Sequence, residues 1–127
     1  MGGNDVTIIA TGHLVWPALE AQQALMKKNI SAEVINIHTI KPLDEEAILE
    51  SAQKTGCVVT AEEHMLNGGL GDSVAQTLVK NNPLPMEMIG VHDTFGESGK
   101  PGELMKKYGL ADSNIVDAVL NVIERKT

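Results

Sequence analysis

Four short β-branched runs, each followed by a stretch of helical periodicity, constrain this chain more than any other feature. Val6-Thr7-Ile8-Ile9-Ala10-Thr11 is almost wholly β-branched or apolar, the composition of a strand buried on both faces. Residues 32–37, 57–61 and 86–91 repeat that character. After the first run, Val15, Ala18, Leu19, Leu25 and Met26 recur at helical spacing, with Pro17 tolerated in the first turn. Lys27-Lys28-Asn29 ends that helix with cations at its negative pole. Pro42-Leu43-Asp44 opens a second helix, with Asp44 as its cap and Glu45-Glu46 at its positive end. Ile48, Leu49 and Ala52 make its inner face, and Gly56 is placed to terminate it. Ser73 and Gln76 have capping-box spacing for a third helix whose inner face is Val74, Leu78 and Val79. Pro101 suits a first helical position, in a turn that ends at Tyr108-Gly109. Asp112 can cap a last helix with Ile115, Val116, Val119, Leu120, Val122 and Ile123 as its core stripe.

Strands separated by helices pair in parallel through right-handed crossovers. The predicted fold is therefore α/β, a three-layer α/β/α sandwich around a parallel sheet of four main strands. A strand order of 2-1-3-4 puts a topological switch point between the first and third strands, where ligands favour the carboxyl ends.

A length of 127 residues suits one domain, predicted over residues 6–127, with 1–5 as a linker or expression remnant. Met1-Gly2-Gly3-Asn4-Asp5 is polar and is not the start of a signal peptide. No run of 18 apolar residues provides a membrane span. The single cysteine, Cys57, excludes an internal disulfide and fits a reducing, cytoplasmic setting. A net charge of −7 argues against binding a phosphate backbone. Trp16, Phe95 and Tyr108 are too few aromatics for a base-stacking platform.

Each strand is followed by a histidine: His13, His38, His64 and His92. All four therefore belong on the carboxyl edge of the sheet, together with Glu62, Glu63 and Asp93. Three readings of this edge stand. One is a metal site, since imidazole and carboxylate are ligand types. Strands about 4.8 Å apart spread four histidines widely for one ion, and no HxH or HxxxH pair is present. A second is a small-ligand pocket between Gly12-His13 and Glu62-Glu63-His64. The third is an edge whose polar groups cap loops or dock another protein surface. Asn67, Gly68 and Gly69 precede the third helix and offer backbone amides, but Glu62, Glu63 and Asp72 beside them repel phosphate. Gly96-Glu97-Ser98-Gly99-Lys100-Pro101 fails as a P-loop and as a GxSxG elbow. Cys57 opens an apolar strand and reads as core.

Four segments in order then carry a family resemblance. They are Ala10-Thr11-Gly12-His13; Val34 to Asp44, with His38-Thr39-Ile40-Lys41-Pro42-Leu43-Asp44; Thr60-Ala61-Glu62-Glu63-His64 with Gly68-Gly69-Leu70-Gly71; and Asp93-Thr94-Phe95-Gly96-Glu97-Ser98-Gly99 with Tyr108-Gly109-Leu110. From about Val6 onward the chain resembles the transketolase C-terminal domain. It is most similar to the C-terminal subunit of split bacterial and archaeal transketolases. Related domains end the pyruvate dehydrogenase β subunit and deoxyxylulose-5-phosphate synthase.

The resemblance implies a parent enzyme dependent on thiamine diphosphate and Mg²⁺ that moves a two-carbon ketol unit between sugar phosphates. It implies no cofactor in this domain, because other domains of the family bind the diphosphate and the aminopyrimidine. Gly71-Asp72-Ser73 lacks the final glycine of the family's diphosphate signature, and Asn81-Asn82 follows too soon. No catalytic, cofactor-binding or metal residue is carried onto this chain. The implied partners are the remaining domains or subunit of the same enzyme, homo-oligomeric when intact, with no nucleic acid and no membrane. The family also has a short antiparallel strand ahead of the segment matching Val6, at the edge beside the second strand. The chain is accordingly expected to be a domain cut from a longer protein. Its edge of His13, His38, Glu62, Glu63, His64, Asn67, Gly68, Gly69 and His92 is expected to dock a neighbouring domain or subunit. The alternative is a free-standing module that binds a small ligand at the same edge.

Overall fold

The computed structural model describes residues 4–11, 14–37, 45–62, 70–81, 83–89 and 112–126. Within them the elements run β1 (Val6–Ala10), α1 (Val15–Met26), β2 (Ala32–Asn36), α2 (Glu45–Thr55), β3 (Val58–Ala61), α3 (Leu70–Asn81), β4 (Met86–Ile89) and α4 (Asp112–Glu124). All pairings are parallel and the strand order is β2-β1-β3-β4, as the alternation predicts.

Side chains alternate between the faces of each strand. Val6, Ile8 and Ala10 of β1, with Val59 and Ala61 of β3, meet Ala18, Ala21 and Leu25 of α1 and Ile115, Val119 and Val122 of α4. Ile9 and Val58 point the other way and meet Ile48 and Ala52 of α2 and Val74 and Leu78 of α3. The result is three layers, with β1 and β3 covered on both faces. Thr7 also faces α2, fully buried. Its hydroxyl lies 2.7 Å from that of Ser51 and 2.8 Å from that of Thr55, and Thr55 donates to the Cys57 carbonyl at 3.1 Å. A polar group is thus tolerated there because every hydroxyl has a partner.

Two helices end on left-handed residues, of which Gly56 was expected and Asn29 was not. At the end of α1, Asn29 takes φ +63. The Ile30 N–H then reaches the Leu25 carbonyl at 3.0 Å and the Asn29 N–H that of Met26 at 3.1 Å, satisfying carbonyls the helix leaves open. At the end of α2, Gly56 takes φ +83 and donates to the Ala52 carbonyl at 2.8 Å. Asp44, the expected cap of α2, lies outside the described residues, although α2 begins beside it at Glu45.

Other expectations need correction. Helix α3 begins at Leu70, so Ser73 sits inside it and cannot cap it. Val79 is 70% exposed. A 100° step per residue places Val74, Thr77 and Leu78 on one stripe and carries Val79 off it. Buried Thr77 lies instead 2.9 Å from Glu45 Oε1 and 3.1 Å from the Ser73 carbonyl. Met26 of α1 is exposed. Gln22 is buried in its stead, and its Nε2 donates to the Ala32 carbonyl at 2.8 Å. On α4, Leu120 is exposed and Ala118 buried. Described strand β4 ends at Ile89, and Gly90 and Val91 lie outside the described residues.

The far end of the chain returns to its start. Lys126 Nζ donates to the Asp5 carbonyl at 3.0 Å and to the Thr55 carbonyl at 2.8 Å. Arg125 donates to the Met86 carbonyl at 2.7 Å and pairs with the Glu87 carboxylate. Lys54 and Glu33 form an ion pair of 2.8 Å across α2 and β2. Burial pushes the Glu33 carboxyl upward, but hydrogen bonds from Lys54 and Ser51 and the Lys54 charge outweigh it, and the net shift is below the ordinary value. A depressed carboxyl stabilises the fold above its unfolded pKa, and the contribution fades as pH falls through the folded one. Glu33→Gln is therefore expected to cost up to about 1 kcal/mol at neutral pH, since Lys54 is solvent-screened. Denaturation midpoints of the two chains should converge in acid; a gap that persists there would assign the loss to packing.

Candidate functional site

The parallel strands all present their carboxyl ends on one edge, and β1 and β3 meet there at the switch point. The strands end at Ala10, Asn36, Ala61 and Ile89, so each histidine follows its strand by two or three positions. His13, His38, Glu63, His64, Asn67, Gly68, Gly69 and His92 lie outside the described residues.

Glu62 is described, and it is buried at 3% exposure. Its N–H donates to the Ile89 carbonyl at 3.0 Å. The Thr11 N–H likewise reaches the Ala61 carbonyl at 3.2 Å, and the Ile37 N–H that of Ala10 at 3.0 Å. The ladder thus continues beyond the ends of β1, β2 and β3, and there the edge is held by backbone rather than splayed. A buried carboxylate at the end of a central strand is a rare placement.

Thr60 adds a feature that the sequence did not reveal. It lies on the α2/α3 side of β3, in register with Ile9, and is fully buried. Among the described residues its hydroxyl has no hydrogen-bond partner. The only advance signal was a threonine in an apolar strand, which Thr7 shares. The two environments predict opposite results for one substitution. Thr60→Val is expected to raise stability by about 1 kcal/mol, because it removes a buried group that has lost water and has no partner among the described residues. Thr7→Val is expected to lower it by about 1–3 kcal/mol, because Ser51 and Thr55 lose a shared partner. Chemical denaturation of both variants checks the pair; losses of equal size would show that Thr60 is also satisfied.

Cys57 is buried, with Sγ 3.3 Å from the Asp5 carbonyl. Burial pushes its thiol up and the Asp5 charge adds to this, against an opposing pull from Lys126. That is the environment of an inert core thiol. Among the described residues, no three His, Cys, Asp or Glu side chains gather as a metal site. No described helix is long and apolar enough to cross a membrane.

Comparison with known proteins places this geometry. The family described as transketolase, C-terminal domain, matches residues 1–115. A 6-deoxy-6-sulfo-D-fructose transketolase subunit from Clostridium sp. (strain MSTE9) is 52% identical over 124 residues, covering 98% of this chain and 38% of the relative. A putative transketolase C-terminal section from Methanocaldococcus jannaschii is 42% identical over 125 residues, covering 98% and 39%. A solved structure described as a split gene transketolase, inactive beta4 tetramer, superposes with a TM-score of 0.94 at 45% identity, covering 99% of this chain and 41% of that one. The chain spans about two-fifths of the length of these relatives. Sheet order, segment order and sequence identity over nearly the whole chain agree: it belongs to the transketolase C-terminal domain family.

Proposed function

We propose that this chain is the C-terminal, non-cofactor-binding domain or subunit of a thiamine diphosphate-dependent transketolase. In the parent enzyme, ketol transfer between sugar phosphates takes place on other domains, and this one supplies subunit and domain contacts. The supporting observation is the match along nearly the whole chain to about two-fifths of split-transketolase relatives.

The described residues do not fit the cofactor. Thiamine diphosphate needs a divalent ion held by carboxylate and amide oxygens, with its phosphates against backbone amides. Gly71-Asp72-Ser73 lies in the first turn of α3 and has serine where the diphosphate signature has its last glycine, and Asn81 closes the same helix. Asn81 Nδ2 is already bonded to the Thr77 carbonyl at 2.9 Å. The role left to this chain is to hold its carboxyl edge in a fixed shape. The ladder through Thr11, Glu62 and Ile37 does this. Such a fixed edge suits docking against an adjoining domain or subunit.

Calorimetry of the purified chain with thiamine diphosphate and Mg²⁺ is expected to show no binding, and the chain alone is expected to transfer no ketol units. Adding the complementary part of the enzyme is expected to restore transfer. Turnover by the chain alone would overturn the reading. In the assembled enzyme, Glu63→Ala and His64→Ala are expected to weaken assembly more than turnover per assembled site. Normal assembly with lost turnover would move His64 into the chemistry.

A further inference from the structure

We propose that Trp16 anchors the docking of the carboxyl edge, its indole seated in the complementary part of the enzyme. This rests on the transketolase reading above and adds to it the residue that carries the contact.

Trp16 is the chain's single tryptophan and is 69% exposed. Isolated apolar side chains are ordinary on a protein surface, so exposure alone decides nothing. What separates Trp16 is where it stands and how it is held. Among the described residues, five large apolar side chains are exposed: Trp16, Met26, Val79, Met88 and Leu120. Met26 closes α1, and Val79 and Leu120 fall in the later halves of α3 and α4. Those helix ends return to the amino edge of the sheet, as the bond from Arg125 to the Met86 carbonyl shows for α4. Met88 lies on the outer strand. Of the five, Trp16 is the one on a helix at the carboxyl edge.

The turn that carries it is fixed. The Leu14 N–H donates to the Thr11 carbonyl at 3.1 Å, and the Thr11 N–H donates to the Ala61 carbonyl at 3.2 Å. Leu14, Pro17 and Ala18 around it are buried. The indole therefore projects from a rigid turn tied to the two central strands, and covering it orders little more than its own two side-chain torsions. Glu20 and Gln23 follow it on the same helix face and are exposed. A large aromatic ring at the edge with polar side chains behind it is the arrangement of a hot spot within a polar rim. The occupant follows from the relatives. This chain covers about two-fifths of each, so the remainder of an enzyme of that length adjoins it, and the carboxyl edge is the face proposed to dock.

With fluorotryptophan incorporated into this chain alone, its single fluorine resonance is expected to lose its solvent isotope shift when the complementary part of the enzyme is added. Trp16→Ala is expected to weaken that assembly by at least about tenfold, the scale of an interface hot spot, and Trp16→Phe by less. Both variants are expected to keep the melting temperature of the native chain, because the ring is mostly outside the fold. Assembly in which the indole stays exposed would overturn the proposal and leave the docking reading standing. So would an unchanged affinity for Trp16→Ala. An indole that becomes shielded in the chain alone as its concentration rises would also overturn it, assigning the ring to a second copy. A complementary part that does not bind the native chain would overturn the docking reading and this proposal together.

Discussion

Ile8→Ala is expected to destabilise the chain by about 2–5 kcal/mol, the range for removing a large aliphatic side chain from a core that cannot collapse around the gap. Ile8 is fully buried in the strand between β2 and β3, in register with Val34 and Val59. It packs in the cluster that α1 and α4 close from above. Four elements would have to move to fill the space, and each is held by its own ladder or helix bonds. The same truncation at Val79 is expected to cost less than about 0.5 kcal/mol, because a surface side chain carries little. Urea denaturation of the two variants measures both. Equal losses would return Val79 to the core and shift the register of α3.

Gly56→Val is expected to cost roughly 2–4 kcal/mol, from left-handed backbone strain together with lost hydrogen bonds. Gly56 holds φ +83, a conformation that a β-branched residue resists. A Cβ built there comes to 3.0 Å from Lys126 Cδ. A lysine stem can usually step aside, but this one is tethered by its ammonium to the Asp5 and Thr55 carbonyls. Moving it unties the end of the chain from the start of β1. The two contributions separate in a double-mutant cycle with Lys126→Ala. In the Lys126→Ala background Gly56→Val should cost only the backbone strain. An identical cost in both backgrounds would show that Lys126 moves freely.

The layering was legible in the sequence because it follows from local composition. Val6 to Ala10 can hardly be anything but a buried strand, and strands spaced by helices leave few topologies open. Gly56 was legible for the same reason, since only certain residues suit a left-handed end, whereas the end of α1 was read from the Lys27-Lys28 cations and not from the left-handed Asn29. Of the candidate edge, the sequence determined that the histidines follow strands and that Glu62 closes the third.

Other features were decided by distance in space. Sequence periodicity ranked Val79 and Leu120 as core by their side chains. Tertiary packing chose Thr77 and Ala118, because the faces of α3 and α4 that meet the sheet depend on where each helix begins and how it is inclined. Two threonines in similar strands have opposite surroundings: Thr7 lies beneath hydroxyls of α2, and the Thr60 hydroxyl has no partner among the described residues. Lys126 carried no local signal at all, being a cation at the chain's end. Its role depends on Asp5 and Thr55 being brought beside it by the parallel sheet. Hydrogen-bond partners distant in sequence exist only once the layers have closed, so composition could supply the strands and helices but not the side chains that fasten them together.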